Sequence, residues 1–270
     1  MFTKLLAYEI RSRYRTDARS FGAFIVTIAV ASGIVAAGLP GISGSTAVLA
    51  YALCALTPVA CAIAAMADYW KTLYGQRGYF TMSLPISGRV IFWAKNTRIA
   101  IECLLALSLA VGGIIAVASA AAWSDGISLA EYTAGPRSLV AGVPTSTVVI
   151  MIVVQVILSL SWIVQGSAVM SIGAQGCFNH LGFGAPIIGF VLVYVADQVL
   201  SMVATFFLPL SVTTDGHFST EIMWTSYRAT MGTDGQPNVI GIASYILVPL
   251  FALFLAVWAS RSIEKRTSLR

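Results

Sequence analysis

Six long apolar runs constrain this chain more than any other feature of its sequence. A helix needs roughly 20 predominantly apolar residues to cross a bilayer, and each run meets that length. Mean hydropathy is +0.85 and only 10% of the residues are charged, against about 25% in a typical soluble domain. The sequence therefore predicts an all-α integral membrane protein built as one domain. Its predicted spans are residues 21–39, 46–67, 99–122, 143–172, 185–210 and 239–260.

The distribution of lysine and arginine predicts the orientation of these spans. Five of these residues precede the first run, five lie after the second run or at the start of the third, and four follow the last. The remaining two, Arg137 and Arg228, fall in the loops 124–142 and 211–238. Because basic loops stay in the cytoplasm, both termini are expected there. The clustering of basic residues beside apolar runs argues against nucleic-acid binding.

Residues 1–19 are predicted to form an amphipathic helix that lies on the membrane surface. Its apolar side chains recur near helical spacing with basic residues among them. The alternative is a disordered basic arm. The first apolar run is expected to be retained rather than cleaved as a signal peptide, since a long stretch with acidic residues precedes it. The apolar residues of this helix are Phe2, Leu5, Leu6, Ile10 and Tyr14.

The chain lacks the motifs of the common catalytic sites. It contains no GxxxxGK[ST] phosphate loop, no HExxH and no GxSxG. His180 and His217 are predicted on opposite sides of the membrane, so they would not share a metal within one subunit. Neither catalysis nor a cofactor or metal site is expected in this subunit. The four cysteines form no CxxC pair and are Cys54, Cys61, Cys103 and Cys177.

The predicted cytoplasmic loop 68–89 has the composition of a docking surface. Trp70, Leu73 and Tyr74 follow at i, i+3 and i+4, which would give a short helix one apolar face. Two glycines permit turns that end this helix, and Pro85 stiffens the return of the chain. The alternative is an ordinary loop with interfacial aromatic residues.

Part of this loop resembles a known family. The run YGQRGYFTMSLPIS from Tyr74 to Ser87, followed by Lys95, resembles the segment GERGYLTLTLPVS…K of bacterial ATP-binding cassette (ABC) exporter permeases of the type-2 class. The run SIGAQGCFNH from Ser171 to His180 is similar to the link between their fourth and fifth spans. The basic N-terminal helix and the six spans agree with the family along the whole chain.

The resemblance implies partners and a mechanism. Two such permeases, identical or homologous, would pair in the bacterial plasma membrane, and each would rest on a separate ATPase subunit that binds ATP and Mg. Loop 68–89 would hold the coupling helix between spans two and three, seated in the ATPase, and residues 1–19 would be the elbow helix. The residues assigned to coupling are Trp70, Leu73, Tyr74, Gly75, Arg77, Gly78, Tyr79, Leu84, Pro85 and Arg89.

A polar stripe on the fifth span marks a second candidate site. Its members follow at i, i+3, i+4, i+7 and i+11, which places them on one helix face. An acid within a span is expensive unless it faces protein or water. The stripe is interpreted as a wall of the translocation path or as the interface between permeases, with hydrogen-bonded contact between helices as the alternative. It comprises Tyr194, Asp197, Gln198, Ser201 and Thr205.

Other polar and small residues have structural interpretations. Glu102 is expected to pair with Arg98 one turn earlier. Three residues of the fourth span are expected to form hydrogen bonds between helices, and a face of small residues on the first span is expected to pack closely against another helix. The first group is Gln155, Ser159 and Gln165, and the second is Ala29, Gly33 and Ala37.

The sequence favours a permease that exports an amphipathic or hydrophobic substrate such as a drug, peptide or lipid-like molecule, because the path walls are largely apolar. The alternative is a membrane anchor or sensor subunit that docks a cytoplasmic partner without transporting anything. A membrane-embedded enzyme ranks last for want of clustered acids or metal ligands. Only a transporter subunit should stimulate ATP hydrolysis in its partner and respond to it.

Overall fold

The computed structural model describes residues 1–75, 78–83, 85–138, 141, 143–182, 184–213, 217–232 and 235–265. Ten α-helices, a 3-10 helix (Gly176–Leu181) and three short strands occupy this part of the chain. The helices are α1 (Phe2–Ala36), α2 (Ser43–Leu73), α3 (Gly78–Ser83), α4 (Gly88–Ser124), α5 (Leu129–Tyr132), α6 (Ala134–Ser138), α7 (Thr145–Gly173), α8 (Gly184–Phe207), α9 (Met223–Thr230) and α10 (Ser244–Lys265).

Six of the described helices (α1, α2, α4, α7, α8 and α10) are long and apolar enough to cross a membrane. In the apolar windows of α1, α2, α7 and α8, only 11% of the residues are buried inside the chain. The remaining apolar side chains face outward, and a surface of that kind requires lipid as its solvent. The chain is therefore a helical, multi-pass membrane protein, and the number of candidate spanning helices agrees with the six predicted.

The N-terminal segment differs from the prediction of a separate elbow helix. Helix α1 runs from Phe2 to Ala36 without interruption, so residues 1–19 and the first predicted span form one helix. No proline lies where these two segments join, and Gly22, just inside the predicted span, is tolerated within a helix. Charged residues near its start also meet the neighbouring helices, as described below. A turn with Gly38 and Gly41 at positive φ then leads into α2.

The described chain divides into two compact units. The first comprises residues 1–73, 84–86 and 90–149, and the second comprises residues 74–83, 87–89 and 150–270. In the first unit, Phe24 and Ile28 of α1, Cys54 of α2 and Val117 of α4 form an apolar core. Gly113 of α4 permits this close approach, since an added Cβ would lie 2.7 Å from the Cys54 sulfur.

The predicted face of small residues on the first span is not used in this core. Ala29, Gly33 and Ala37 are exposed, and an added Cβ on Gly33 would meet nothing within 4 Å. The buried side of α1 instead carries Ile28 and Val35. These large apolar side chains pack against α2 and α4. The spacing of small residues along one helix does not show which of its faces the neighbouring helices contact.

The second unit packs α7, α8 and α10 through small residues. An added Cβ on Gly189 of α8 would lie 2.7 Å from Val169 Cγ1 of α7, and one on Gly173 would lie 2.8 Å from the backbone nitrogen of Pro186. On α10, the Ser262 hydroxyl donates to the Ser171 carbonyl oxygen at 3.3 Å. These close approaches hold the three helices together at the ends that join through the 3-10 helix.

The loop after α8 contains a small sheet that the sequence interpretation did not predict. Strands β1 (Ser211–Thr213), β2 (Phe218–Ser219) and β3 (Val239–Gly241) pair antiparallel in the order β2-β1-β3. The predicted sixth span began at residue 239, but the helix begins at Ser244. Hydropathy counted β3 as part of the span because its valine and isoleucine are apolar, although such β-branched residues also favour strands. The same loop also contains the short helix α9.

Aromatic side chains fix this loop to the end of α8. Trp224 of α9 lies with ring centroids 5.7 Å from Phe207, and Tyr227 lies 6.2 Å from Phe206. Gly241 of β3 contacts the carbonyl oxygen of Thr205, leaving no room for a Cβ. Aromatic residues of this kind are enriched where a spanning helix meets the membrane surface.

Candidate functional site

A cavity with both polar and apolar walls lies within the second unit, between α7, α8 and α10. Its volume is about 150 Å³. Helix α8 contributes Asp197, Gln198 and Ser201 to its wall. Since α8 spans 24 residues and Asp197 lies near the middle of them, the acid is far from both helix ends. The remaining wall residues are Leu158 and Trp162 of α7, with Ser244, Tyr245 and Val248 of α10.

The Asp197 carboxylate is held by a single hydrogen bond from a neighbouring helix. Asp197 is 4% exposed, and Gln165 Nε2 of α7 donates to its Oδ1 atom at 3.1 Å. The second oxygen, Oδ2, is buried and has no hydrogen-bond partner among the described residues. A buried polar atom without a partner is uncommon and calls for a reason. The contact between Asp197 and Gln165 therefore leaves one oxygen of each side chain without a hydrogen-bond partner among the described residues.

The structure brings together part of the predicted polar stripe. Asp197, Gln198 and Ser201 share the cavity. Thr205 lies beyond them, and its hydroxyl donates to the Ser244 Oγ at 3.1 Å. Tyr194 is 52% exposed and is not part of the cavity wall. The five residues therefore share a helix face, but only the central three define one site.

Three residues of the fourth span were predicted to form hydrogen bonds between helices, and one of them does so in the structure. Gln165 is 2% exposed and bonds Asp197 across to α8. Ser159 instead donates to the Gln155 carbonyl oxygen within α7 at 2.8 Å, and both residues are exposed. A serine hydroxyl finds an acceptor one turn back in its own helix, which spacing along the sequence does not exclude.

Several wall residues of the cavity were absent from the sequence interpretation. Trp162, Ser244 and Tyr245 belong to helices other than α8, and no periodicity within one span connects them to Asp197. A tryptophan in an otherwise aliphatic run and a serine and tyrosine at a helix start were the available signals. They do not indicate which neighbouring helix these residues face.

A second cluster of charged residues lies in the first unit. Lys95 Nζ of α4 lies 2.9 Å from Glu9 Oε1 of α1 and also donates to the Thr72 hydroxyl of α2 at 3.0 Å. Lys95 is 1% exposed and Glu9 is 7% exposed. These contacts connect three helices that the sequence separates. Neither Glu9 nor its pairing with Lys95 was predicted.

Arg98 is the centre of this charged cluster. Its guanidinium donates to Glu102 Oε1, confirming the predicted pair, and to Asp68 Oδ2 at 3.0 Å. Its Nε atom lies 3.7 Å from Glu9 Oε2. Arg13 of α1 approaches the other oxygen of Asp68 at 2.8 Å. Because every charge here has an opposite charge beside it, the arrangement suits a structural anchor rather than a vacant binding site.

The predicted coupling residues divide by exposure. Helix α2 continues to Leu73, so Trp70 and Leu73 belong to it and not to a separate short helix. Leu73 and Tyr74 are buried and do not present the expected apolar face. The chain turns at Gly75, whose carbonyl accepts from the Gly78 N–H at 2.8 Å.

A separate short helix does occur in the loop, but further along the chain, at α3. Tyr79 on α3 is 57% exposed, and Pro85 and Arg89 are also exposed. Gly78 is buried. Two of the predicted coupling residues, Arg77 and Leu84, lie outside the described residues. The exposed part of the predicted surface is therefore shifted toward α3.

Comparison with known proteins adds no evidence of function to the structure. No protein-family model, curated protein or solved structure matches this chain. In the part of the chain that the structure describes, no group of three or more His, Cys, Asp or Glu side chains is placed to hold a metal ion.

Proposed function

We propose that this chain is the membrane permease subunit of an ABC exporter of the type-2 class, located in a bacterial plasma membrane with both termini in the cytoplasm. Two copies, or one copy and a homologous permease, would pair. A separate ATPase subunit, loaded with ATP and Mg, would supply the energy. The exported substrate would be amphipathic or hydrophobic.

The observation that carries this proposal is an exposed aromatic residue, Tyr79, on a short helix in the segment that resembles the family. Helix α3 lies between the second and third spanning helices, and Tyr79 projects from it with 57% of its surface exposed. Exposed aromatic residues are common anchors of protein interfaces. In the proposed complex, α3 and the neighbouring Arg77, Pro85 and Arg89 seat in the ATPase as the coupling helix.

The cavity around Asp197 supports a transport role over a passive anchor. An acid within a membrane helix marks a functional site by default, and Asp197 belongs to the wall of a cavity. Gln198 and Ser201 extend the polar wall along α8. In the proposed exporter, this wall forms part of the substrate path or of the surface between permeases.

Affinity co-purification from the native membrane, with ATPase activity assayed on the eluate, tests the proposal. The wild-type chain is compared with an Arg77→Ala, Tyr79→Ala double variant. The matched control is Trp123→Ala, which removes an aromatic side chain that is 79% exposed at the other end of α4. We expect an ATPase to elute with the wild type and the control and to be lost with the double variant.

Two results would contradict the proposal. If no ATPase elutes under any mild detergent, the chain is not an exporter subunit, and the anchor or sensor role takes its place. If an ATPase elutes equally with the double variant, coupling does not depend on the α3 segment. Stimulation of ATP hydrolysis by an amphipathic compound, but not by a sugar, would further separate a transporter from an anchor.

A further inference from the structure

The unpaired oxygen of Asp197 defines a site with an unmet electrostatic requirement. Asp197 accepts one hydrogen bond, from Gln165, on Oδ1, and its buried Oδ2 has no partner among the described residues. None of the ion pairs formed by the described residues includes Asp197. An ionised carboxylate without a counter-charge is very unfavourable away from water. The site therefore calls for a cation or a proton.

The shape of the cavity favours a cation of modest size. A space of about 150 Å³ is comparable to an engineered protein cavity of that volume that holds a benzene molecule. Divalent metal ions such as Mg²⁺ or Ca²⁺ take six or more oxygen ligands. The wall offers one carboxylate, one amide and two serine hydroxyls, and the remaining residues are apolar or aromatic. This composition does not resemble a metal site.

The aromatic walls identify the chemistry of the cation. Trp162 and Tyr245 line the cavity and are 51% and 49% exposed. Aromatic faces attract ammonium groups, tryptophan most strongly, and the attraction grows when water is excluded. Leu158 and Val248 provide an apolar surface for a hydrocarbon group attached to the ammonium.

We propose that this cavity binds an organic ammonium cation. The carboxylate of Asp197 supplies the negative charge opposite the ammonium, and Gln165 holds the carboxylate in place through Oδ1. The hydroxyls of Ser201 and Ser244 complete the polar side of the site. This ligand would be the substrate class of the exporter, and its export rests on the proposed function. Binding of the ligand to the cavity does not require the ATPase.

Equilibrium dialysis of the purified full-length chain in nanodiscs of zwitterionic phosphatidylcholine tests the inference. The probes are radiolabelled benzylammonium and its neutral counterpart benzyl alcohol, which have nearly the same shape. We expect benzylammonium to bind the wild type at least tenfold more tightly than benzyl alcohol does. The Asp197→Asn variant should lose at least tenfold in benzylammonium affinity and leave benzyl alcohol unaffected.

Two further variants keep the test independent of folding defects. Ser201→Leu fills the cavity with an apolar side chain that a membrane helix accepts, and it should also abolish benzylammonium binding while Asp197 is retained. The control Asp125→Asn removes an exposed acid outside the cavity and should bind as the wild type does. Equal binding of both probes to the wild type, or an Asp197→Asn or Ser201→Leu affinity within twofold of wild type, would overturn the inference.

The outcomes separate this inference from the proposed function. If an ATPase co-purifies but benzylammonium binding is independent of Asp197, the substrate class is wrong and the exporter assignment is unaffected. If benzylammonium binds through Asp197 but no ATPase co-purifies, the cation site stands and the export role fails.

Discussion

Lys95 Nζ and Glu9 Oε1 lie 2.9 Å apart, although 86 residues separate them in the sequence. The contact joins α1 to α4 and is almost fully buried on both sides. Arg98, one turn further along α4, extends the contact to Asp68 of α2. Three helices that belong to different apolar runs are therefore fixed at a common level by charge pairs, close to where the basic residues predict the cytoplasmic surface.

Removing one partner of this buried pair should destabilise the protein strongly. Lys95→Met leaves Glu9 buried without its nearest counter-charge, and such losses typically amount to about 3–5 kcal/mol in the free energy of unfolding. The measurement is a sodium dodecyl sulfate titration in mixed micelles followed by tryptophan fluorescence. Lys71→Met, which removes an exposed lysine of α2, is the control and should change this free energy by less than about 0.5 kcal/mol.

The same pair can be tested for direct coupling. Combining Glu9→Gln with Lys95→Met should destabilise the protein less than the sum of the two single changes, because the double variant leaves no unpaired charge at this contact. Additive effects would show that the two side chains do not depend on each other and would contradict the contact.

Arg98→Lys should destabilise the protein although it preserves the charge. The guanidinium of Arg98 contacts Glu102, Asp68 and Glu9 from different nitrogen atoms, and a single ammonium cannot reproduce that geometry. We expect a loss of about 1.5–3 kcal/mol, the range for hydrogen bonds to charged groups, in the same titration. Arg137→Lys, at an exposed site in α6, should have no measurable effect. Equal stability of the two variants would show that charge alone suffices at residue 98.

Gly113→Ala and Gly112→Ala form a matched pair that tests the core of the first unit. A Cβ on Gly113 would lie 2.7 Å from the Cys54 sulfur, while one on Gly112 would meet nothing within 4 Å. Overpacking of this kind typically destabilises by about 1–3 kcal/mol, whereas alanine is favoured over glycine in an open helix position by about 0.5–1 kcal/mol. Gly113→Ala should therefore lower the thermal unfolding midpoint and Gly112→Ala should not.

A second change identifies the atom responsible for the Gly113 effect. Cys54→Ala removes the sulfur that the new methyl group would meet, so adding it to Gly113→Ala should recover part of the lost stability. If the double variant is less stable than Gly113→Ala, the contact between α2 and α4 is not the one described.

The predicted orientation can be measured with two single-cysteine variants in a background whose four cysteines are replaced by alanine. Tyr79→Cys and Phe218→Cys are at exposed sites separated by three spanning helices. A membrane-impermeant maleimide should label Phe218→Cys in intact cells and Tyr79→Cys only after permeabilisation. The opposite pattern would invert the topology, and labelling of both from outside would contradict the six-span arrangement.

The sequence is enough to predict six spanning helices, because the free energy of transferring a helix into lipid is summed along one continuous segment. It also placed Asp197, Gln198 and Ser201 on one face of α8 and paired Arg98 with Glu102, since both follow from the period of a single helix. Strand β3 was included in the sixth span because hydropathy records apolarity and not backbone conformation.

Which helices contact each other could be seen only in the tertiary structure. The contact between Glu9 and Lys95, the hydrogen bond from Gln165 to Asp197, and the placement of Trp162 and Tyr245 in the wall of the same cavity all join segments far apart in the sequence. No local period encodes such contacts, because they depend on how side chains of different helices fit and on the pairing of charges that only packing brings together. That packing left one oxygen of Asp197 without a partner, and the proposed cation site follows from it.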